Sequence, residues 1–414
     1  MLIQPTGQTL GEIPLMLSQT DRPIALVIGT RPELIKLAGV ARLLGDNALL
    51  VDTGQHYDES LSADLFHSQS LPEPQAYLEG VHGQCRGAQI GTAISALTAV
   101  FTTTQPAAVI VQGHTNSTSA GAQAAQYCDI PIIHVEAGLR SHDRTVLEEH
   151  NRRVVGVLAD VHCAATQQNA ANLIAENTDP ARISVTGNTI VEATLAALPG
   201  LSDCQGMLAR HGLTQDQYVL TTIHRPENTD DPERLETILR ELASLPLPVV
   251  FPTHPRTEGL IQTYGLAKLA QSLYRCPLMG HPEFLGLARN ARLLISDSGG
   301  MQEECTVIKR PLVVVRNRTD RPEAITAGFA TLVPERKQIS QAALRILDDA
   351  DLPARLAATR SPYGDGRASW RIGLLAMALQ RGVAAADAAA AVHQTPMSTD
   401  TGQELAMNEL RLVR

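Results

Sequence analysis

Aromatic residues are scarce in this chain, at 3% of its 414 positions. Hydrophobic residues still make up 44%. Its cores must therefore be built mainly from Ala, Val, Leu and Ile. Positive charge is also short: 34 Lys and Arg stand against 43 Asp and Glu, a formal net charge of −9. That balance argues against a general nucleic-acid binder, which shows a basic surplus. It leaves room for a local basic pocket around a phosphorylated small molecule. No apolar run approaches the roughly 20 residues needed to cross a bilayer. Residues 1–23 lack the basic start and apolar stretch of a secretion signal. The expectation is a cytoplasmic protein with no membrane partner. The six cysteines (Cys85, Cys128, Cys163, Cys204, Cys276 and Cys305) are scattered and form no Cys-x-x-Cys pair. This supports neither a zinc knuckle nor a disulfide scaffold, so reduced core thiols are expected. There is no G-x-x-x-x-G-K-[ST] loop, no G-x-G-x-x-G fingerprint and no metal-ligand spacing. No cofactor and no metal are expected, and dehydrogenase and kinase readings lose ground.

What the chain does have is alternation. Short β-branched runs recur at 24–30, 48–54, 107–113, 130–138, 161–167 and 183–188. Segments of helical periodicity separate them, such as PELIKLAGVARLL at 32–44. A loop is read around LPGLSDCQG (198–206). Strand-like runs then resume at 218–225, 248–255, 291–300, 310–316 and 330–334. Such repeated βαβ units predict parallel sheets buried on both faces. The fold class is therefore α/β, with two doubly wound Rossmann-like domains. The expected divisions are an N-terminal extension over 1–23, a first domain over 24–195 and a second over 196–365. A helix over 366–382 is expected to pack back on the first domain, and an Ala-rich then polar tail covers 383–414. Ligands of such folds sit outside the C-terminal strand ends, and with two domains those ends can face each other across one cleft.

Several strand ends carry chemistry. GTRPELIK (29–36) offers Gly29 for a tight turn, Arg31 to grip a phosphate or carboxylate, and Pro32 and an acidic residue in a first helical turn. ISDSGGMQEE (295–304) runs strand, small residues, then helix, an arrangement whose free N–H groups suit an anion. Ser298 adds a hydroxyl, and Glu303 or Glu304 could accept both hydroxyls of a ribose. Behind another strand, Glu136, Glu148 and Glu149 are grouped in sequence, and two converging carboxylates can divide acid and base work. His224, ending a strand in HRPEN (224–228), suits a general acid or base or a phosphate contact. His114 stands at the end of AAVIVQG, in VQGHTNSTSA (111–120).

Together these stretches resemble the non-hydrolysing UDP-N-acetylglucosamine 2-epimerases, whose fold is the two-domain glycosyltransferase-B type. The resemblance runs from about residue 24 to about 380. It is carried by GTRPELIK, DTGQHYD (52–58), VQGHTNSTSAGAQAA, HVEAGLRS (134–141), LEEHNRR (147–153), VTGNTIVEA (185–193), HRPEN, DSGGMQEE and RPEAITAG (321–328). It implies a homodimer that binds a nucleotide sugar, held mainly by the second domain. The enzyme would eliminate UDP to leave a glycal and add it back after the configuration at C2 has changed. Glu136 and Glu148 match two of three catalytic acids, His224 a histidine important for activity, and Arg31 an arginine near the diphosphate. Ser298, Gly299 and Gly300 match the diphosphate loop, Glu304 the ribose ligand and Phe284 the residue beside the base. Lys36, Gln55, His56, Arg140 and Arg321 complete the implied binding set.

The resemblance also exposes departures. The family's third acid is an Asp in a Gly-Asp-Thr turn, and here the turn is Gly113-His114-Thr115. The family's Pro-Glu-Glu is Leu147-Glu148-Glu149, and Tyr57 replaces a frequent Arg. An imidazole in place of a carboxylate can still exchange a proton near pH 7, and a cationic one would welcome a phosphate. That change opens an alternative reading, in which a bond between a phosphorylated sugar and a nucleobase or nucleotide is formed or cleaved in specialised nucleoside metabolism. A third reading is a nucleotide-binding protein without activity, against which the retained Arg31, Glu136, Glu148 and His224 argue.

Overall fold

The computed structural model describes residues 22–55 and 66–393. His56 and Tyr57 lie outside the described residues, as do most of the N-terminal extension and the tail from residue 394. The described residues divide into two compact units. One comprises the chain up to Gly138, then Arg144–Thr186, and the chain from Ser369 onward; the other comprises Leu139–Asp143 and Gly187–Ala368.

In the first unit, strands β1 (Ile24–Ile28), β2 (Ala48–Asp52), β3 (Ala76–Tyr77), β4 (Ala108–Gln112), β5 (Ile132–Ala137), β6 (Val161–Ala164) and β7 (Ile183–Val185) form one sheet. Its order is β3-β2-β1-β4-β5-β6-β7, and the pairs are parallel. The strand order reverses between β1 and β4, which pair directly. Helix α1 (Arg31–Leu44) leaves the end of β1, α2 (Arg86–Thr104) precedes β4, α3 (Asn116–Tyr127) leaves its end, and α4 (Leu147–Leu158) follows β5. The scarcity of aromatics is met by close approach. Ala120, Ala122, Ala124 and Ala125 of α3 are all fully buried. A Cβ on Gly121 would stand only 2.9 Å from Val111 and 3.2 Å from Val27. Small side chains thus let α3 lie directly on β1 and β4, replacing bulk with contact.

In the second unit, β8 (Val219–Thr222), β9 (Val249–Thr253), β10 (Tyr274–Pro277), β11 (Leu293–Ser296), β12 (Leu312–Val314) and β13 (Ala330–Leu332) form a parallel sheet in the order β10-β9-β8-β11-β12-β13. Here the reversal lies between β8 and β11. Two apolar clusters flank the sheet, one around Tyr218, Phe329 and Tyr363, the other around Phe251, Leu239 and Val313. Helix α5 (His281–Asn290) precedes β11, and α6 (Gly299–Ile308) leaves it.

Every strand-like run of the sequence contains a strand, and the fold class is as expected. Two edge strands, β3 and β10, are additional. The loop expected around 198–206 is instead largely helical, since Leu201–Arg210 forms a helix with Gly200 at its N-cap. Cys204 and Leu208, one turn apart, are buried and hold that helix against the unit's core. Only Leu198, Pro199 and Gly200 remain between it and the preceding helix, which ends at Ala197. Among the described residues no helix is long and apolar enough to cross a membrane. The six cysteines are free thiols, three of them buried.

Candidate active site at the two sheet reversals

In each unit the reversal of strand order separates two loops that leave neighbouring strand ends, the position where open α/β sheets bind ligands. In the first unit these loops are Gly29-Thr30-Arg31, after β1, and Gly113-His114-Thr115, after β4. In the second they are Ile223-His224-Arg225, after β8, and Asp297-Ser298-Gly299, after β11.

The β1 and β4 loops share a carboxylate. Glu33 is 1% exposed. Its Oε2 accepts from the Gly29 N–H (3.0 Å) and the Thr30 hydroxyl (2.9 Å). Its Oε1 accepts from the hydroxyls of Thr115 (2.6 Å) and Thr118 (3.0 Å). Burial pushes the Glu33 carboxyl above the ordinary Glu range, and these four donors offset the push only in part. Thr115 also caps α3 by accepting from the Thr118 N–H. Arg31 is therefore exposed at the mouth of a loop that Glu33 holds from beneath. Gly29 has no room for a side chain, because a Cβ there would come within 1.9 Å of Ser117 Oγ. Ser117 in turn donates through its N–H (2.9 Å) and hydroxyl (2.8 Å) to Gln55 Oε1.

His114 is partly buried. Its carbonyl accepts from Asn151 Nδ2 at 3.1 Å, which ties the β4 loop to α4. The neighbouring Gly113 carbonyl accepts from His134 Nε2 at 2.9 Å. Glu136 lies on β5 with φ +63°, a left-handed conformation unusual for a residue with a side chain. The β5–β6 register shifts at this point, between Val135 and Ala137. The bulge turns the Glu136 carboxylate onto Lys36 Nζ (2.5 Å) and Gln112 Nε2 (2.7 Å). Glu148 and Glu149 then separate by environment. Glu149 is 1% exposed and accepts from Arg152 at 3.2 Å, whereas Glu148 is exposed in the first turn of α4.

In the second unit Ser296 anchors the turn that follows it. Its hydroxyl accepts from the Ser298 N–H (2.9 Å) and shares a hydrogen bond with Thr222 (2.6 Å). Gly299 and Gly300 then open α6, where the first N–H groups have no partner inside the helix. A Cβ on Gly299 would stand 3.0 Å from the Arg321 guanidinium. Arg321 is fixed by Glu303 (2.7 Å) and Asp320 (2.8 Å). Glu303 is fully buried and also accepts from Asn188 (3.2 Å). Glu304 is 8% exposed and meets His281 Nε2 at 2.8 Å. Phe284 lies one turn beyond His281 on α5 and is half-buried. Arg140 is buried in the Leu139–Asp143 segment and donates to the Leu139 carbonyl at 2.7 Å. Among the described residues no group of three or more His, Cys, Asp or Glu is placed to hold a metal ion.

Residues 45–375 match the family described as UDP-N-acetylglucosamine 2-epimerase. The UDP-N-acetylglucosamine 2-epimerase of Methanocaldococcus jannaschii is 34% identical over 364 residues, covering 84% of this chain and 97% of that one. The chain belongs to the UDP-N-acetylglucosamine 2-epimerase family.

The solved structure of the Methanocaldococcus jannaschii enzyme in complex with UDP-GlcNAc and UDP aligns with a TM-score of 0.75 at 33% identity, covering 84% of this chain and 98% of that chain. The fold is thus the glycosyltransferase-B type of these epimerases. The UDP-2,3-diacetamido-2,3-dideoxy-D-glucuronate 2-epimerase of Pseudomonas aeruginosa is 33% identical, covering 84% of this chain and 98% of that one. The names in the epimerase family therefore span more than one sugar. Sequence reasoning passed over four residues that make contacts at the candidate site: Glu33, Gln112, His281 and Asp297. Each is a polar side chain near an already suspected position, with at least one partner distant in sequence.

Proposed function

We propose that this chain is a nucleotide-sugar 2-epimerase acting on UDP-N-acetylglucosamine, with UDP-N-acetylmannosamine as product. The observation that carries the reading is the near-complete alignment to an epimerase solved with UDP-GlcNAc and UDP. The local geometry supports it: an anion-binding helix start at residues 298–300 and carboxylates at strand ends fit a reaction that releases a diphosphate and moves a proton.

In this reading the second unit holds the nucleotide. The N–H groups at the start of α6 and the Arg321 guanidinium bear on the diphosphate, Glu304 on the ribose hydroxyls and Phe284 on the base. Arg31, Lys36, Gln55, His56 and Arg140 complete the binding set. A proton leaves C2 as the C1–O bond to UDP breaks, giving a glycal and UDP. Re-addition of UDP at C1, with a proton returned to the opposite face of C2, gives the epimer. Glu136, Glu148 and His114 carry the protons, and His224 serves the departing diphosphate. Lys36 and Gln112 hold the Glu136 carboxylate in one orientation. The reading includes a homodimer, which light scattering in solution checks.

The alternative drawn from His114, a bond made or broken between a phosphorylated sugar and a base, is not favoured, because the named relatives are 2-epimerases. The test is product analysis of purified protein with UDP-GlcNAc. UDP-ManNAc at a constant total of nucleotide sugar supports the proposal. An unchanged substrate, or a product with a new C–N bond, overturns it.

A further inference from the structure

At the reversal of the second sheet, one buried carboxylate joins the two strand-end loops. Asp297 is 0% exposed. Its Oδ2 accepts from the N–H groups of His224 (3.0 Å) and Arg225 (2.9 Å) and from Asn228 Nδ2 (3.0 Å). Its Oδ1 lies 3.0 Å from His224 Nδ1. Its own N–H donates to the Thr222 carbonyl (3.2 Å), and its carbonyl accepts from Arg225 Nε (2.8 Å). The groups that donate to its carboxylate thus all come from the segment that follows β8.

The charge state of Asp297 follows from its neighbours. Burial alone would push its carboxyl up, but the contacts from His224, Asn228 and the Arg225 N–H together hold it below the usual Asp range. An ionised carboxylate can only accept hydrogen bonds. The ring nitrogen that faces it must therefore carry a proton. Nε2 stands across the ring from that contact, and the His224 side chain is 44% exposed.

We propose that Asp297 is a positioning residue that fixes His224 with its proton on Nδ1 and presents Nε2 beside the loop at residues 298–300. The same carboxylate holds the main chain of both His224 and Arg225, so ring and loop are set together. Charged or titratable groups nearby include Arg225, Arg256 and His254: Arg225 Nε is held on the Asp297 carbonyl, Arg256 reaches the His224 carbonyl, and His254 accepts from the Arg256 N–H. The inference draws on the proposed epimerase chemistry only in giving His224 a ligand to meet, because the tautomer is a property of the free protein.

Two measurements test it. The first is the imidazole nitrogen NMR spectrum of the full-length protein without substrate at pH 8.5, with His224 assigned by its loss in His224→Gln. A proton on Nδ1 is expected. A proton on Nε2 alone, or an averaged mixture, overturns the proposal even if no epimerisation is ever seen. The second uses Asp297→Asn. The amide oxygen can serve the main-chain donors, which leaves the NH2 facing the ring and forces Nδ1 to accept, so the proton moves to Nε2. A fall in kcat of roughly 100-fold is expected, at the lower end of what a positioned acid–base group contributes. KM for UDP-GlcNAc is expected to change little, and Asp297→Asn is expected to add no further loss in the His224→Gln background. Equal losses in both backgrounds would show that Asp297 acts on the loop alone and would overturn the proposal. If Asp297→Asn fails to fold, the wild-type spectrum decides the matter by itself.

Discussion

Lys36 Nζ and Glu136 Oε2 meet at 2.5 Å, both side chains less than a tenth exposed. One comes from the second turn of α1, the other from the bulge at the end of β5. The left-handed backbone of Glu136 is a strained conformation held by this pairing and by Gln112. Removing the ammonium leaves a buried carboxylate short of its charge partner, which typically costs about 3–5 kcal/mol. Lys36→Met is therefore expected to lower unfolding free energy by about that amount in urea denaturation. Lys36→Met combined with Glu136→Gln is expected to recover much of the loss. Equal stability of Lys36→Met and wild type would contradict this account of the pair.

Glu33 makes stability depend on pH with a definite sign. Its folded carboxyl is raised above the ordinary 4.5, chiefly by burial. The folded chain thus keeps a proton that the unfolded chain releases. The stabilisation is full below 4.5 and is lost as pH rises through the folded value. Glu33→Gln removes that dependence, because the hydroxyls of Thr115 and Thr118 can turn to accept from an amide. Stability of Glu33→Gln relative to wild type is expected to increase as pH rises from 4.5. Parallel urea titrations at several pH values measure it, and a flat or falling difference contradicts the assignment.

Gly299→Ala tests the anion site. A Cβ there would press on Arg321, which Glu303 and Asp320 prevent from swinging aside. Loss of one hydrogen bond to a charged group is worth about 1.5–3 kcal/mol, so UDP is expected to bind roughly 10- to 100-fold more weakly. Isothermal titration of the folded variant measures this. Equal affinity would remove residues 298–300 from the nucleotide site.

Most of this architecture was legible because its strands are runs of Val, Ile and Leu buried on both faces. β10 escaped notice for the opposite reason: Tyr274, Arg275, Cys276 and Pro277 form a half-exposed edge with little apolar character. β3 is only two residues long. At the site, residues at strand ends stood out, since a His or Glu after an apolar run demands an explanation. Glu33 did not, because an acidic residue in a first helical turn already has a sufficient role beside the helix dipole. Its link to Thr115 spans 82 positions and appears only in three dimensions. Asp297 was masked by the phosphate-loop pattern around it, and the left-handed turn at Glu136 carries no local signal such as glycine.

The central claim is that the chain moves the proton at C2 of a UDP-linked sugar, with His114 where the family resemblance places a carboxylate. Incubating the protein with UDP-GlcNAc in D2O, and following C2 by proton NMR, tests it most directly. The account predicts loss of the C2 proton signal as UDP-ManNAc appears, with deuterium at C2 in the product. Retention of the C2 proton with no UDP-ManNAc formed would contradict it.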